Sequence, residues 1–217
     1  MDALLMEQRT EREILTDRLL MLFMIDQTQR KGYKITGKVK LMKMIFQAQT
    51  KMVKDKVKAF NYSFYRWDFG PMSNGVMKDL DCMLNNDLLE KHGTFIFASD
   101  RGRELLKQFS GLFKKNQKIL EHVNKTINEF APYSGKAIKE VTYGLPLLFR
   151  KKLIRYVKPS DEILARVKRD NARSWFLLDD DSEETLSLLM DKKACEALDR
   201  GIADAKAGKI QKYQSIS

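Results

Sequence analysis

Histidine and cysteine are the side chains that most often do chemistry near neutral pH, and this chain has two of each: His92, His122, Cys82 and Cys195. His92 precedes Gly93 in a turn, His122 lies on the polar face of a helical run, and neither belongs to an HExxH pair. The cysteines are far apart, with no CxxC and no Cys/His ligand spacing, which argues against a disulfide framework or a zinc site and fits a reducing, cytoplasmic setting. No GxxxxGK[ST], GxGxxG or GxSxG stretch offers a phosphate cradle or a nucleophile elbow. The run Asp179, Asp180, Asp181, Glu183, Glu184 lacks the spacing of a calcium loop and reads as the solvated start of a helix. No catalytic residue, metal or cofactor is expected, and the chain reads as a binding protein rather than an enzyme.

Two sets of residues have the types and spacing for binding. Lys+Arg exceed Asp+Glu by 40 to 29, a formal net charge of +11 that favours phosphate or an acidic partner. Lys38, Lys40 and Lys43 recur along one helical run, Arg66 sits inside the aromatic stretch FNYSFYRWDF, and Lys78 lies on the following helix. These five are the candidate nucleic-acid contacts. Asp79 and Asp81 beside Lys78 arrange the charge poorly, so the expectation is weak, salt-sensitive DNA binding. The second set is Leu186, Leu189, Met190, Leu198 and Ile202, an apolar stripe at helical steps, with Ile210 in a short alternating tail suited to a partner's sheet edge. These are the candidate contacts to a partner protein.

The elements that must position these residues are mostly helical. Glu11 to Arg30 carries Ile14, Leu15, Arg18, Leu19, Leu22, Phe23 and Asp26 as a largely apolar stripe at helical spacing, with charges on the other side. Thr36 caps a second helix in which Val39, Met42, Ile45, Phe46 and Gln49 share a face while the lysines line the remainder. Phe60, Tyr62 and Phe64 alternate with small or polar residues, as in a strand or extended segment, and Tyr65 and Trp67 are expected to pack under the next helix. Gly70-Pro71 reads as a turn, and Ser73 caps the helix bearing Val76, Leu80 and Met83. Thr94 to Ala98 should pair with Leu88 to Lys91 as a β-hairpin, after which Ser99 caps a helix running toward Phe130. Ser134 caps a short helix, and Ser160, with Asp161 and Glu162 behind it, starts another.

The charge changes sign near Asp179: from there to Ser217 nine acidic residues face six basic ones, against 20 and 34 before it. In this acidic part Ser182 caps one amphipathic helix, which Gly208 ends. No run of apolar residues is long enough to span a bilayer. The fold class expected is mainly α with a small β-hairpin (α+β, winged-helix-like), a helical domain followed by an amphipathic C-terminal helix.

The stretches VKLMKMIFQAQ (Val39 to Gln49), WDFGPMSNGVMKDLDCM (Trp67 to Met83) and FIFASDRGRELL (Phe95 to Leu106) resemble, in order and spacing, the SocA-like Panacea antitoxin domain. The likeness covers roughly residues 11–157. Residues 158–181 then form a connecting segment and 182–217 a partner-binding helix and tail. The run EETLSLLMDKKACEALDRGIADAKAGKI (Glu183 to Ile210) is similar to the toxin-binding segment of RelB-like and Phd/YefM-like antitoxins. The two resemblances imply an antitoxin that neutralises a cognate protein toxin by direct contact, its oligomeric state open. The alternatives are a winged-helix DNA-binding regulator and an adaptor that delivers its partner to proteolysis.

Overall fold

The computed structural model describes residues 9–68, 70–148 and 152–209. The first element among the described residues is α1 (Glu11–Arg30), capped by Thr10, whose side chain accepts from Glu13 N–H while the Glu13 carboxylate accepts from Thr10 N–H. Six consecutive residues, Leu20 to Ile25, are buried together with Leu19. The expected one-sided stripe is therefore corrected: α1 is covered on all sides, and its acidic residues Asp17 and Asp26 lie inside. A helix whose charges are paired within the fold needs no polar face.

β1 (Ile35–Thr36) leads into α2 (Gly37–Lys54), followed by β2 (Val57–Lys58), β3 (Phe64–Trp67) and β4 (Gly70–Met72). β3 and β4 pair antiparallel, so Gly70-Pro71 is strand instead of the turn expected from the sequence. Phe60, Tyr62 and Phe64 are buried as their alternation requires, but Trp67 is 46% exposed and does not pack under the next helix. That helix is α3 (Asn74–Asn85), its first turn capped by the Ser73 hydroxyl. β5 (Leu89–His92) and β6 (Phe95–Ala98) form the hairpin read from the sequence, and β1 adds to the free edge of β6.

The single helix expected after Ser99 is three: α4 (Asp100–Gln108), α5 (Ser110–Lys115) and α6 (Gln117–Phe130). Asn116 makes the second break, because its buried amide donates to Leu112 O (2.9 Å) and Leu177 O (2.9 Å) and accepts from Leu177 N–H (2.7 Å). α7 (Gly135–Tyr143) closes over α2. The helix expected at Ser160 is instead β7 (Glu162–Leu164), which pairs with β3. Ser160 has a φ of 70°, not the extended backbone of an N-cap, and its N–H donates to Arg66 O (2.8 Å). β8 (Ser174–Trp175) pairs parallel with β2. Ile163, Leu164, Phe176 and Leu178 of the expected connecting segment are buried in the same core as α1 and α2. The last elements among the described residues are α8 (Asp180–Met190) and α9 (Lys192–Lys206). The architecture is mainly helical with small sheets, and no helix among the described residues is long and apolar enough to cross a membrane.

Candidate functional site

The expected C-terminal helix is broken in two. Asp179, not Ser182, caps α8, its carboxylate accepting from Ser182 N–H at 3.0 Å, and hydrogen bonds from the Ser182 side chain and N–H hold the carboxyl down at about 2. Asp191 interrupts the run and caps α9, accepting from Lys193 N–H (2.8 Å) and Ala194 N–H (3.1 Å). An aspartate that bonds the next two free N–H groups restarts a helix at a new angle although the apolar period runs on.

The break divides the apolar stripe. Leu186 is 0% exposed and Met190 is buried; α8 packs on α1, anchored where Arg12 meets Asp180 (2.5 Å) and Glu183. Leu189 packs against the same core, and its carbonyl accepts from Arg101 Nη2 at 2.7 Å. Leu186 and Met190 are therefore corrected from partner contacts to core residues that cover apolar surface of this chain, and Leu189 is half-buried against that core. α9 is different. Lys192 ties its first turn to the end of α3, through Asp87 (2.6 Å) and Asn86 (3.0 Å), and every described residue from Glu196 to Lys209 is exposed. Leu198 is 48% exposed and Ile202 45%, one turn apart on a helix with no buried residue. Ile210 lies outside the described residues.

The five cations expected to contact nucleic acid do not form one surface. Lys40 is buried and clamps two carbonyls, Lys34 O (2.9 Å) and Ala131 O (2.7 Å). Lys43, 2% exposed, donates to Pro71 O at 2.7 Å. Neither is on the solvated face its position suggested, because α6 and α7 cover that side of α2. Lys38 is paired with Asp81 (2.9 Å), and Arg66 lies 3.9 Å from Asp68 and 6.0 Å from the Tyr143 ring centre. Lys78 alone of the five is exposed without an ion pair among the described residues.

Burial, with the charge of Lys139 adding to it, pulls the Lys43 amine down to about 7 from an ordinary 10.5. The unfolded chain therefore holds this proton more tightly between those pH values, so the cost of the buried charge is full below pH 7 and fades toward pH 10.5. Lys43→Met should be more stable than the wild type at pH 6 by an amount on the order of 2–4 kcal/mol, with the gap closing as pH rises to about 10. Denaturant melts of the two proteins at several pH values check this. A gap that does not change with pH overturns it.

A cluster that sequence reading missed lies between α1, β3 and α3. Asp79 is buried and accepts from Arg9 Nη1 (2.6 Å), Arg18 Nε (3.0 Å) and the Tyr62 hydroxyl (3.0 Å). Asp17, also buried, accepts from Arg9 Nη1 (2.7 Å), Asn61 N–H (2.8 Å) and Asn61 Nδ2 (3.1 Å). Burial pushes the Asp17 carboxyl up to about 7 against the pull of Arg9, and it pushes the Tyr62 phenol well up too. Glu13 extends the network, holding Lys58 (2.5 Å) and Arg166 (2.6 Å). The signal was there to read: Asp17 and Asp79 stand on the apolar side of their helices, and Asp79 is three residues from Val76. With Arg9 bonded to both carboxylates, the arrangement joins α1 to α3.

The histidines take no part in a cluster. His92 is exposed near Glu90 (3.5 Å), whereas His122, expected on an exposed face, is half-buried 3.7 Å from Asp55, and burial lowers its pKa. Among the described residues no three His, Cys, Asp or Glu side chains converge as a metal site. The site that stands out for binding is α9, a helix carried outside the core with its apolar side chains uncovered. No family model matches this chain, and no curated protein and no solved structure matches it.

Proposed function

We propose that this chain is an antitoxin-type binding protein that neutralises a cognate protein toxin by laying α9 into a groove of that partner. The observation that carries the reading is the exposure of residues 196–209, with Leu198 and Ile202 on one side of the helix. An isolated helix of this length is marginal in water, and an uncovered apolar stripe at helical spacing is the pattern by which helix-in-groove complexes form. The order α1, β1, α2, α3 and the β5–β6 hairpin with β1 on its edge supports the finer assignment of the first part as a winged helix. Here that fold serves as a platform. The regulator alternative loses support, since Lys40 and Lys43 are occupied inside the protein.

Leu198→Glu/Ile202→Glu tests the reading, together with the product of the neighbouring reading frame as toxin. Each apolar anchor contributes about 1.5–3 kcal/mol when buried, so the double change should weaken binding by about 10² to 10⁴-fold and abolish rescue from toxicity. The melting temperature should stay that of the wild type, because neither side chain supports the core. Unimpaired rescue sinks the reading. Wild-type dimers that become monomers on this change, with rescue intact, would assign the stripe to self-association.

A further inference from the structure

We propose that the groove between the α5–α6 joint and β8 binds a single strand of nucleic acid, with cations holding its phosphates while Leu177 and Trp175 take an unstacked base. The groove measures about 510 Å³. Its two walls are tied together by the buried Asn116, whose amide donates to Leu177 O and accepts from Leu177 N–H. Lys114, Lys115 and Lys118 line one wall and Arg173 the other, and no carboxylate among the described residues lines either.

All four cations are exposed. Lys115 is paired with Asp179 at 3.2 Å, whereas Lys114, Lys118 and Arg173 have no ion pair among the described residues. Of the carboxylates nearest in sequence, Asp179 goes to Lys115, Asp180 meets Arg12 at 2.5 Å, and Glu121, Asp170 and Asp181 stand outside the lining. Positive charge left unneutralised along a concave surface attracts phosphate.

Two observations favour a strand over a small anion. The cations continue beyond the groove: Arg173 N–H donates to Lys56 O at 2.8 Å, and the exposed Lys54, Lys56 and Lys168 line the adjoining groove, where Glu162 is the one acidic residue among those described. A phosphodiester chain carries a charge at every nucleotide, so it meets a row of cations that a lone phosphate cannot span. The wall also sets apolar surface among the charges. Leu177 is 48% exposed, and Trp175 is half-buried with the Arg169 guanidinium 3.9 Å from its ring centre. A duplex keeps its base faces stacked inside, and a single strand offers them to such side chains while its backbone follows the basic track. The groove holds no residue of α9, so its occupancy does not depend on the partner of that helix.

Trp67→Phe leaves Trp175 as the sole tryptophan of the chain, and its fluorescence then reports on the groove. Oligothymidylate and oligouridylate of about ten nucleotides, a duplex of the same length and polyglutamate are titrated into this variant at several salt concentrations. The expected result is saturable quenching by one or both single strands, at least about tenfold tighter than by the duplex or polyglutamate. Lys114→Gln/Lys118→Gln/Arg173→Gln should weaken strand binding at least tenfold at about 0.1 M salt and flatten the slope of log K against log salt by about 2, the share of three phosphates. Lys78→Gln/Lys91→Gln/Lys136→Gln removes the same charge from exposed positions elsewhere and should cost less than about threefold. Leu177→Ser should weaken strand binding about fivefold with the salt slope unchanged, since it removes apolar contact and no charge. Every one of these side chains is exposed, so the melting temperatures should stay that of the wild type. Equal weakening by the two triple variants, duplex or polyglutamate bound as tightly as the strands, or no saturable change in Trp175 fluorescence through the millimolar range each overturns the proposal.

Discussion

Deleting residues 180–217 should leave a protein at the edge of unfolding, whereas deleting residues 196–217 should leave the melting temperature close to that of the full chain. The first cut removes α8 and exposes the surface of α1 that Leu186 and Met190 cover, together with the Arg12 pairs to Asp180 and Glu183. Two fully buried side chains of this size contribute about 3–6 kcal/mol by area, a large part of the roughly 5–15 kcal/mol that holds a domain. The second cut keeps Asp191, the Lys192 contacts to Asp87 and Asn86, and Cys195, and it removes only residues that are exposed or undescribed. Thermal melts of the two truncated chains beside the full protein test both halves. A chain ending at Asp179 that melts within a few degrees of the wild type would show that α8 is also an appendage, and would return Leu186 and Met190 to the partner-binding surface.

Asp79→Ala should be among the most damaging single changes, lowering the unfolding free energy by about 3–5 kcal/mol. Removing one partner of a buried charged network strands the others, and that costs more than the network contributes while intact. Without the Asp79 carboxylate, Arg18 and the Tyr62 hydroxyl lose their buried acceptor, and Arg9 retains Asp17 alone. Asp79→Asn, which keeps an acceptor for one donor, should be milder. Denaturant unfolding at pH 7 measures both. A loss below about 1 kcal/mol for the alanine would show that water replaces the carboxylate easily and that the cluster does not hold α3 to α1.

The elements that local chemistry dictates were readable. Ser73, Ser99 and Ser134 cap the helices their positions suggest, the β5–β6 hairpin falls where the β-prone runs flank His92-Gly93, and Phe60, Tyr62 and Phe64 alternate into the core. A side-chain oxygen three residues ahead of a free N–H and a two-residue period act within one turn or one strand, so the sequence carries them without knowledge of neighbours. Strands made by distant partners were not readable. β7 exists because residues near 162 meet β3 about a hundred positions away, and β8 because Lys56 and Lys58 offer it an edge. Nothing local distinguishes Ser160-Asp161-Glu162 from a helix start.

The sequence by itself determined that the chain is mainly helical with a small hairpin, that its acidic part begins at Asp179, and that an apolar stripe runs from Leu186 to Ile202. Only the tertiary structure decided which part of that stripe is free, because periodicity records that a face is apolar and not what covers it. α8 packs on α1 and buries Leu186 and Met190, while Leu198 and Ile202 stay exposed. The same holds for charge. The excess of Lys+Arg over Asp+Glu sets the net +11, but whether Lys40 and Lys43 meet solvent or a carbonyl depends on α6, α7 and β4 closing over α2. Asp17 and Asp79 are charged residues on apolar faces for the same reason: their partner Arg9 is brought to them by the fold, and only there does burying two carboxylates become tolerable.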